Sequence, residues 1–293
     1  MRCKCLNYAA MALFVFAGTV SSAFAVDSNP GDYTALPPGS DLVALYYGYS
    51  HSNKFNLGNA GEIPNSEFDY SVAVARYVHY GQLGGMPTTV QAFMPVAKFH
   101  GAKVGGVTQP VADGIGDLTL GAAISPIAAP PTDLTGTNLG ATMFVTLPTG
   151  HYDFGKVNIG SGTVIFDPQI GFQQGLGGGV FFDAYYDVAF ALDHDEQGHK
   201  VSTDPAHQLQ LYLRYEFQPG YNAAIGYSGK RGGKQYVDGG YGGLATDSDQ
   251  LRLWASAFLN PTTQIGGWLG YDTRAEGGFK GGPVLQLRLL KIF

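Results

Sequence analysis

Residues 207–217 read HQLQLYLRYEF. Leu209, Leu211, Leu213, Tyr215 and Phe217 fall on one side of an extended chain, with Gln208, Gln210, Tyr212, Arg214 and Glu216 on the other. Side chains of a strand point alternately to its two faces, so this alternation marks a strand with one apolar and one polar face. The pattern recurs at 180–193, where Val180, Phe182, Ala184, Tyr186, Val188, Phe190 and Leu192 oppose Asp183, Asp187 and Asp193. It recurs again at 250–259, with Leu251, Leu253, Ala255, Ala257 and Leu259 against Gln250, Arg252 and Ser256.

Working outward, twelve such segments appear: 41–50, 67–78, 88–99, 115–125, 139–147, 163–173, 180–192, 207–217, 221–229, 250–259, 264–274 and 283–293. Each is near the ~9–11 residues with which a tilted strand crosses a bilayer. Their spacing, about 22 residues, exceeds the ~8–12 of a compact sandwich. The connections alternate in length. Long polar loops at 51–66, 100–114, 148–162, 193–206, 230–249 and 275–282 interleave with shorter turns at 79–87, 174–179, 218–220 and 260–263. Only 126–138, with Pro126, Pro130 and Pro131, is long where a short turn is expected. Long loops at one end and tight turns at the other are the habit of bacterial outer-membrane barrels. The expected fold is therefore all-β: a single antiparallel transmembrane β-barrel of about 12 strands over residues 40–293, in the cell outer membrane. Lipid is then one partner. A terminal strand closed by Phe293 implies another, the barrel assembly machinery. Lys291 departs from the apolar pattern of that strand and is expected to snorkel to the interface.

Composition agrees. Only 14% of the 293 residues are charged, and 43 are Gly; soluble domains carry about 25% charged residues and about 7% Gly. Beyond residue 25 no apolar run approaches the ~20 residues of a spanning helix. The first 25 residues read as a secretory leader: Arg2 and Lys4, an apolar stretch from Ala9 to Val20, then Ala23-Phe24-Ala25. Cleavage after Ala25 removes Cys3 and Cys5, so neither a disulfide nor a Cys-based metal site is expected. The mature chain, with 15 Lys and Arg against 23 Asp and Glu, carries a net charge of −8, which excludes nucleic acid as a partner. Residues 26–39, rich in Pro and Gly, form an N-terminal arm. It is either a loose periplasmic tail or a plug in the lumen.

If the apolar parity faces lipid, the inward face holds Glu67, Asp69, Asp117, Asp167, Asp183, Asp187, Glu216 and Asp272, with Arg214, Arg252 and Arg288. An excess of carboxylates suits a conduit that disfavours anions. A lattice of Arg–carboxylate pairs stiffening a narrow barrel is the alternative. Trp254, Trp268, Phe93, Phe144 and Phe181 share the inward parity and would suit an apolar or aromatic solute. Catalysis would require an acid or nucleophile near one of the seven His, with His151, His194 and His207 the positions to inspect. No Ser–His pair facing lipid at a strand's middle is expected. The cluster Asp193-His194-Asp195-Glu196 with His199 matches no tight metal motif. The Gly runs 175–179 and 239–243 lack the strand-to-helix setting of a nucleotide site, so no cofactor is expected.

Several short motifs carry a family likeness. Asp113-Gly114-Ile115-Gly116-Asp117-Leu118 opens a strand, and Leu147-Pro148-Thr149-Gly150 is followed by Tyr152-Asp153 and Asn158-Ile159-Gly160. Phe166-Asp167-Pro168 and the strand opening Gly282-Pro283 complete the set. Together, over about 40–293, they resemble the outer-membrane family linked to the meta-pathway of phenol degradation. The resemblance implies a passive channel for uptake of small hydrophobic, often aromatic compounds, and brings no catalytic residues. An outer-membrane barrel enzyme of lipase or protease type, or an adhesive barrel acting through its loops, are the competing readings.

Overall fold

The computed structural model describes residues 26–58 and 60–293. The leader expected over residues 1–25 lies outside the described residues. Twelve strands form the wall: β1 Asp41–Ser52, β2 Glu67–Leu83, β3 Met86–Val104, β4 Leu118–Ala128, β5 Thr137–Leu147 and β6 Ile165–Gly177. The second half is β7 Val180–Ala191, β8 Ala206–Gln218, β9 Tyr221–Gly232, β10 Asp247–Asn260, β11 Thr263–Glu276 and β12 Pro283–Ile292. Each pairs antiparallel with the next, and β12 returns to β1 with Leu42 opposite Ile292 and Ser50 opposite Val284. The sheet therefore has no edge. Closure satisfies the requirement that every backbone polar group in hydrocarbon be paired.

The two faces sort as the alternation demands. Leu251 and Leu253 are 56% and 61% exposed toward lipid, while Arg252 and Trp254 are 4% and 3% exposed. Strand β2 breaks the parity. In β2 the inward face holds Val74, Arg76, Val78 and Tyr80, and the outward face Ala73, Ala75 and Tyr77. Here the lumen side is the more apolar.

Short connections lie at 84–85, 178–179, 219–220 and 261–262, with the longer 129–136 at the same rim. The expected turn at 79–87 is corrected: alternation continues through Tyr80, and the hairpin needs only Gly84 and Gly85, both at positive φ (57° and 87°). Two such residues fit the tight primed turns whose twist matches the strands. Lys291 reaches this rim, where its Nζ donates to Thr262 Oγ1 at 2.6 Å. At the opposite rim the long loops carry three small sheets of their own. One joins His194–Glu196, His199–Thr203, Gln235–Val237 and Gly240–Tyr241; a second joins Lys54–Leu57, Gly61–Ile63 and Gly278–Lys280; a third pairs Val111–Ala112 with Val157–Asn158 in parallel.

Candidate functional site

The chain preceding β1 does not hang outside the barrel. It is tied to the short-turn rim where the Gly39 N–H donates to the Tyr80 carbonyl at 2.8 Å, then climbs through the lumen along β6. Thr34 Oγ1 donates to Gln173, Tyr33 to Gln169, and Ser28 Oγ to Gln169 at 2.8 Å. The Val26 N–H donates to Asp167 Oδ2 at 3.2 Å. An irregular segment inside a barrel must find partners for its backbone on the wall, and glutamines supply both donors and acceptors. Gln210 illustrates this: its Oε1 accepts the Ser28 N–H at 3.1 Å and its Nε2 donates to the Ser28 carbonyl at 3.2 Å.

Three side chains fix the segment. Asp32 takes Arg76 at 3.1 Å and Arg288 at 2.9 Å, from β2 and β12. Asp27 takes Arg252 of β10 at 3.1 Å. Tyr33 stacks on Tyr185 at 5.5 Å between ring centroids, and its hydroxyl meets Thr142 Oγ1 at 2.9 Å. The Tyr33 ring occupies a notch made by Gly140 and Gly171, which face each other across the β5–β6 register. A Cβ on Gly171 would sit 2.3 Å from the ring, and one on Gly140 would sit 2.7 Å away. These glycines leave the space for the aromatic anchor.

Burial on its own raises the pKa of a carboxyl. For Asp32 the Arg76 and Arg288 guanidiniums overcome burial and hold the carboxyl below its usual range. Arg252 and Lys230 do the same for Asp27. Each inward arginine also lies over an aromatic ring: Arg76 over Phe93 at 4.9 Å, Arg214 over Phe181 at 4.2 Å, Arg252 over Trp268 at 4.5 Å and Arg288 over Trp254 at 4.8 Å. Ring faces attract cations, so these rings help hold the guanidiniums in place.

Above the segment, under the long loops, lies a cavity of about 430 Å³. One wall is aromatic. Phe68 stacks on Phe279 at 4.9 Å and lies 5.7 Å from Phe99, while Phe55 meets Phe279 at 4.8 Å. Facing these are Lys230, Arg252 and Asp272, and Val26 and Asp27 also line the cavity. A second cavity of about 50 Å³ runs beside the segment, between Asp32, Tyr33, Arg76, Tyr80 and Gln91. The lumen is thus open beneath the long loops and nearly filled beside the segment.

The residues singled out from sequence fall in different places. Asp183 of β7 pairs with Arg214 of β8 at 2.9 Å, a pairing within the wall. Arg252 and Arg288 pair with the N-terminal segment instead, and Asp187 accepts from Gln169 at 3.1 Å. Asp272 accepts the Gly281 N–H at 2.7 Å below the last loop. Asp117 precedes β4 and receives Gly150 N–H at 2.8 Å and Ser161 N–H at 2.6 Å, tying two outer loops. Glu216 lies at the inner rim, where its Oε1 accepts the Gly220 N–H at 3.1 Å. Trp268 and Phe93 line the large cavity, whereas Phe144 packs edge-on against Phe93 at 5.9 Å.

One histidine makes a contact that alternation does not place. Ser71 Oγ lies 2.9 Å from His100 Nε2 on the outer face, a Ser–His contact that the sequence reading did not expect. His100 is the extra residue where the β2–β3 register shifts, so alternation cannot place it. The acidic run near His194 is dispersed: Asp193 pairs with Lys200 at 3.1 Å and His199 with Asp238 at 2.7 Å. The grouping with ligand-like spacing among the described residues is His51, Glu67 and Asp69. His51 already bonds Asp69, and Glu67 faces Lys103 at 3.6 Å. His151 Nδ1 meets the Asp113 carbonyl at 3.0 Å, and His207 meets the Tyr186 hydroxyl at 2.8 Å.

Comparison with known proteins agrees with this geometry. The family model described as "Putative MetA-pathway of phenol degradation" matches residues 52–289. The crystal structure of the COG4313 outer membrane channel from Pseudomonas putida F1 superposes with a TM-score of 0.82 at 26% identity, covering 91% of this chain and 100% of that one. The transport unit of the autotransporter AIDA-I from Escherichia coli superposes at 0.52 with 12% identity, covering 98% and 96%, and shares the fold alone. No curated protein matches the sequence.

Proposed function

The chain belongs to the MetA-pathway phenol-degradation family, and from that premise we propose a passive outer-membrane channel for small hydrophobic compounds, aromatic ones included. The observation that carries this reading is the cavity of about 430 Å³ with its wall of Phe55, Phe68, Phe99 and Phe279. Ring faces and edges recognise an aromatic solute at centroid separations of about 4.5–7 Å, so such a wall collects apolar solutes from water. No step consumes chemical energy, and flux follows the concentration gradient. Solute enters beneath the long loops, and onward passage waits on displacement of residues 26–40. The inward acids and arginines, Asp117, Asp167, Asp183, Asp187, Arg214, Glu216, Arg252, Asp272 and Arg288, act in this reading as wall stiffeners and anchors. The outward apolar belt is solvated by lipid, and Phe293 serves as the strand end read by the assembly machinery.

Growth and uptake by a deletion strain test the proposal, on aromatic and aliphatic carbon sources at limiting concentration. Uptake should fall for small apolar compounds and remain unchanged for sugars. Unchanged uptake of every apolar compound would remove it. A second reading, an outer-membrane hydrolase, rests on the Ser71–His100 contact alone. It requires that Ser71→Ala abolish ester hydrolysis by the purified protein, whereas a channel is indifferent to that change.

A further inference from the structure

Two carboxylates on the lumen wall pose a problem of partners. Asp167 and Asp187 are 2% and 0% exposed on the inner face of neighbouring strands β6 and β7. Asp187 lies opposite Gln169, so Asp167, two residues along, is its diagonal neighbour on the same face. Each has one oxygen engaged: Asp167 Oδ2 by the Val26 N–H and Asp187 Oδ2 by Gln169. The other two oxygens, Asp167 Oδ1 and Asp187 Oδ1, are buried and meet no donor. Among the described residues no arginine, lysine or histidine forms an ion pair with either: Lys230 lines the cavity without pairing with them, and Arg252 is committed to Asp27. Two neighbouring buried carboxylates without a cation cost several kcal/mol each, so a missing positive partner is expected.

Val26 is the residue that would begin the chain after cleavage behind Ala25. Hydrolysis of the Ala25–Val26 peptide by water, catalysed by a leader peptidase, leaves a carboxyl on Ala25 and an amine on Val26. That amine takes up a proton near neutrality, its ordinary pKa being about 7.7–8.0. The nitrogen now making one hydrogen bond to Asp167 then carries a positive charge and three N–H donors. We propose that Asp167 and Asp187 form a socket for the α-ammonium group of Val26, created by leader cleavage, so that processing itself locks the N-terminal segment into the lumen. One donor keeps Asp167 Oδ2, and two are free for the orphaned oxygens. Gln169 closes the socket from below, donating to both the Val26 carbonyl at 3.1 Å and Asp187. An uncleaved chain offers only one neutral N–H at this place. The segment of an unprocessed precursor therefore lacks its lock. The inference rests on cleavage after Ala25, which the first measurement below tests separately.

Mass spectrometry of the protein purified from outer membranes should give Val26 as its first residue; any other start overturns the proposal. The reactivity of that amine is the second readout. A water-soluble acylating reagent at pH 7 should modify the native α-amine at least tenfold more slowly than the same amine in an unfolded peptide. The doubly substituted Asp167→Asn, Asp187→Asn protein should lose this protection. Two glycines inserted between Ala25 and Val26 provide a variant that leaves the wall untouched and moves the amine by up to about 7 Å. It keeps the neutral Val26 N–H, so a mere backbone hydrogen bond would survive. The proposal requires faster amide exchange over residues 28–34 in that variant, while the boiled-against-unboiled gel shift of the barrel is retained. A native amine as reactive as the free peptide, or unchanged exchange on insertion, would overturn it.

Discussion

The outer and inner halves of the lumen are enclosed by the same twelve strands and hold opposite contents. Outside, Phe55, Phe68, Phe99 and Phe279 border a cavity of about 430 Å³. Inside, Asp32 and Tyr33 fill the bore, with arginines, glutamines and a glycine notch arranged to receive them. Alternation decides which side chains point inward and leaves open what they surround. The polar inner half is packed because a segment of the chain itself is its ligand. No described segment of the chain fills the aromatic outer half, which forms the cavity.

The largest effect should follow from excising residues 28–36. The inner half loses its filling, and single-channel conductance in planar bilayers should rise severalfold. Next comes Asp32→Asn, which strands Arg76 and Arg288 without a counter-charge. Breaking a buried pair in this way costs about 3–5 kcal/mol, read as faster amide exchange across the N-terminal segment. The same contact gives a pH dependence. The carboxyl of Asp32 is held below its usual range by Arg76 and Arg288. A depressed pKa contributes stability that is full above the unfolded value of about 3.9 and is lost as pH falls through the folded value. The Asp32 contribution to docking should therefore be constant between pH 5 and 8 and disappear only below about 4, and Asp32→Asn should remove that acid step.

Gly171→Ala forces the Tyr33 ring aside, an overpacking cost of about 1–3 kcal/mol, again seen in exchange. Phe68→Ala acts on the other half. Losing one ring contact of about 0.5–1.5 kcal/mol should weaken binding of an aromatic solute roughly two- to tenfold while leaving the segment docked. Lys54→Gln, which removes an exposed pair with Glu62 at 3.9 Å, should change neither half.

Much of the wall was legible. Alternation with loops sorted by length gave twelve strands, because a lipid-facing surface must be apolar and that constraint repeats every second residue. Arg76 was missed for a physical reason: Val74, Val78 and Tyr80 share its face, so the rule that apolar means outward misplaces it. The path of residues 26–40 has no periodicity to read. Its partners Gln169, Arg252 and Arg288 lie 136 to 256 positions away from the residues they hold. The aromatic cluster assembles from β2, β3 and two loops, and loop positions carry no parity. Gly140 and Gly171 carry no side chain whose parity can be read, and only the fold puts the Tyr33 ring against them.

Thiol accessibility tests the division of the lumen most directly. Ser248 lines the outer cavity, and Thr34 lies on the docked segment against Gln173. Each is changed to Cys in a chain whose Cys3 and Cys5 are replaced by Ser, and cells are treated from outside with a membrane-impermeant thiol reagent. Ser248→Cys should react readily; Thr34→Cys should remain unmodified until Asp32→Asn is added. Equal labelling of the two positions in the otherwise native chain would contradict an open outer half sealed by an occupied inner one.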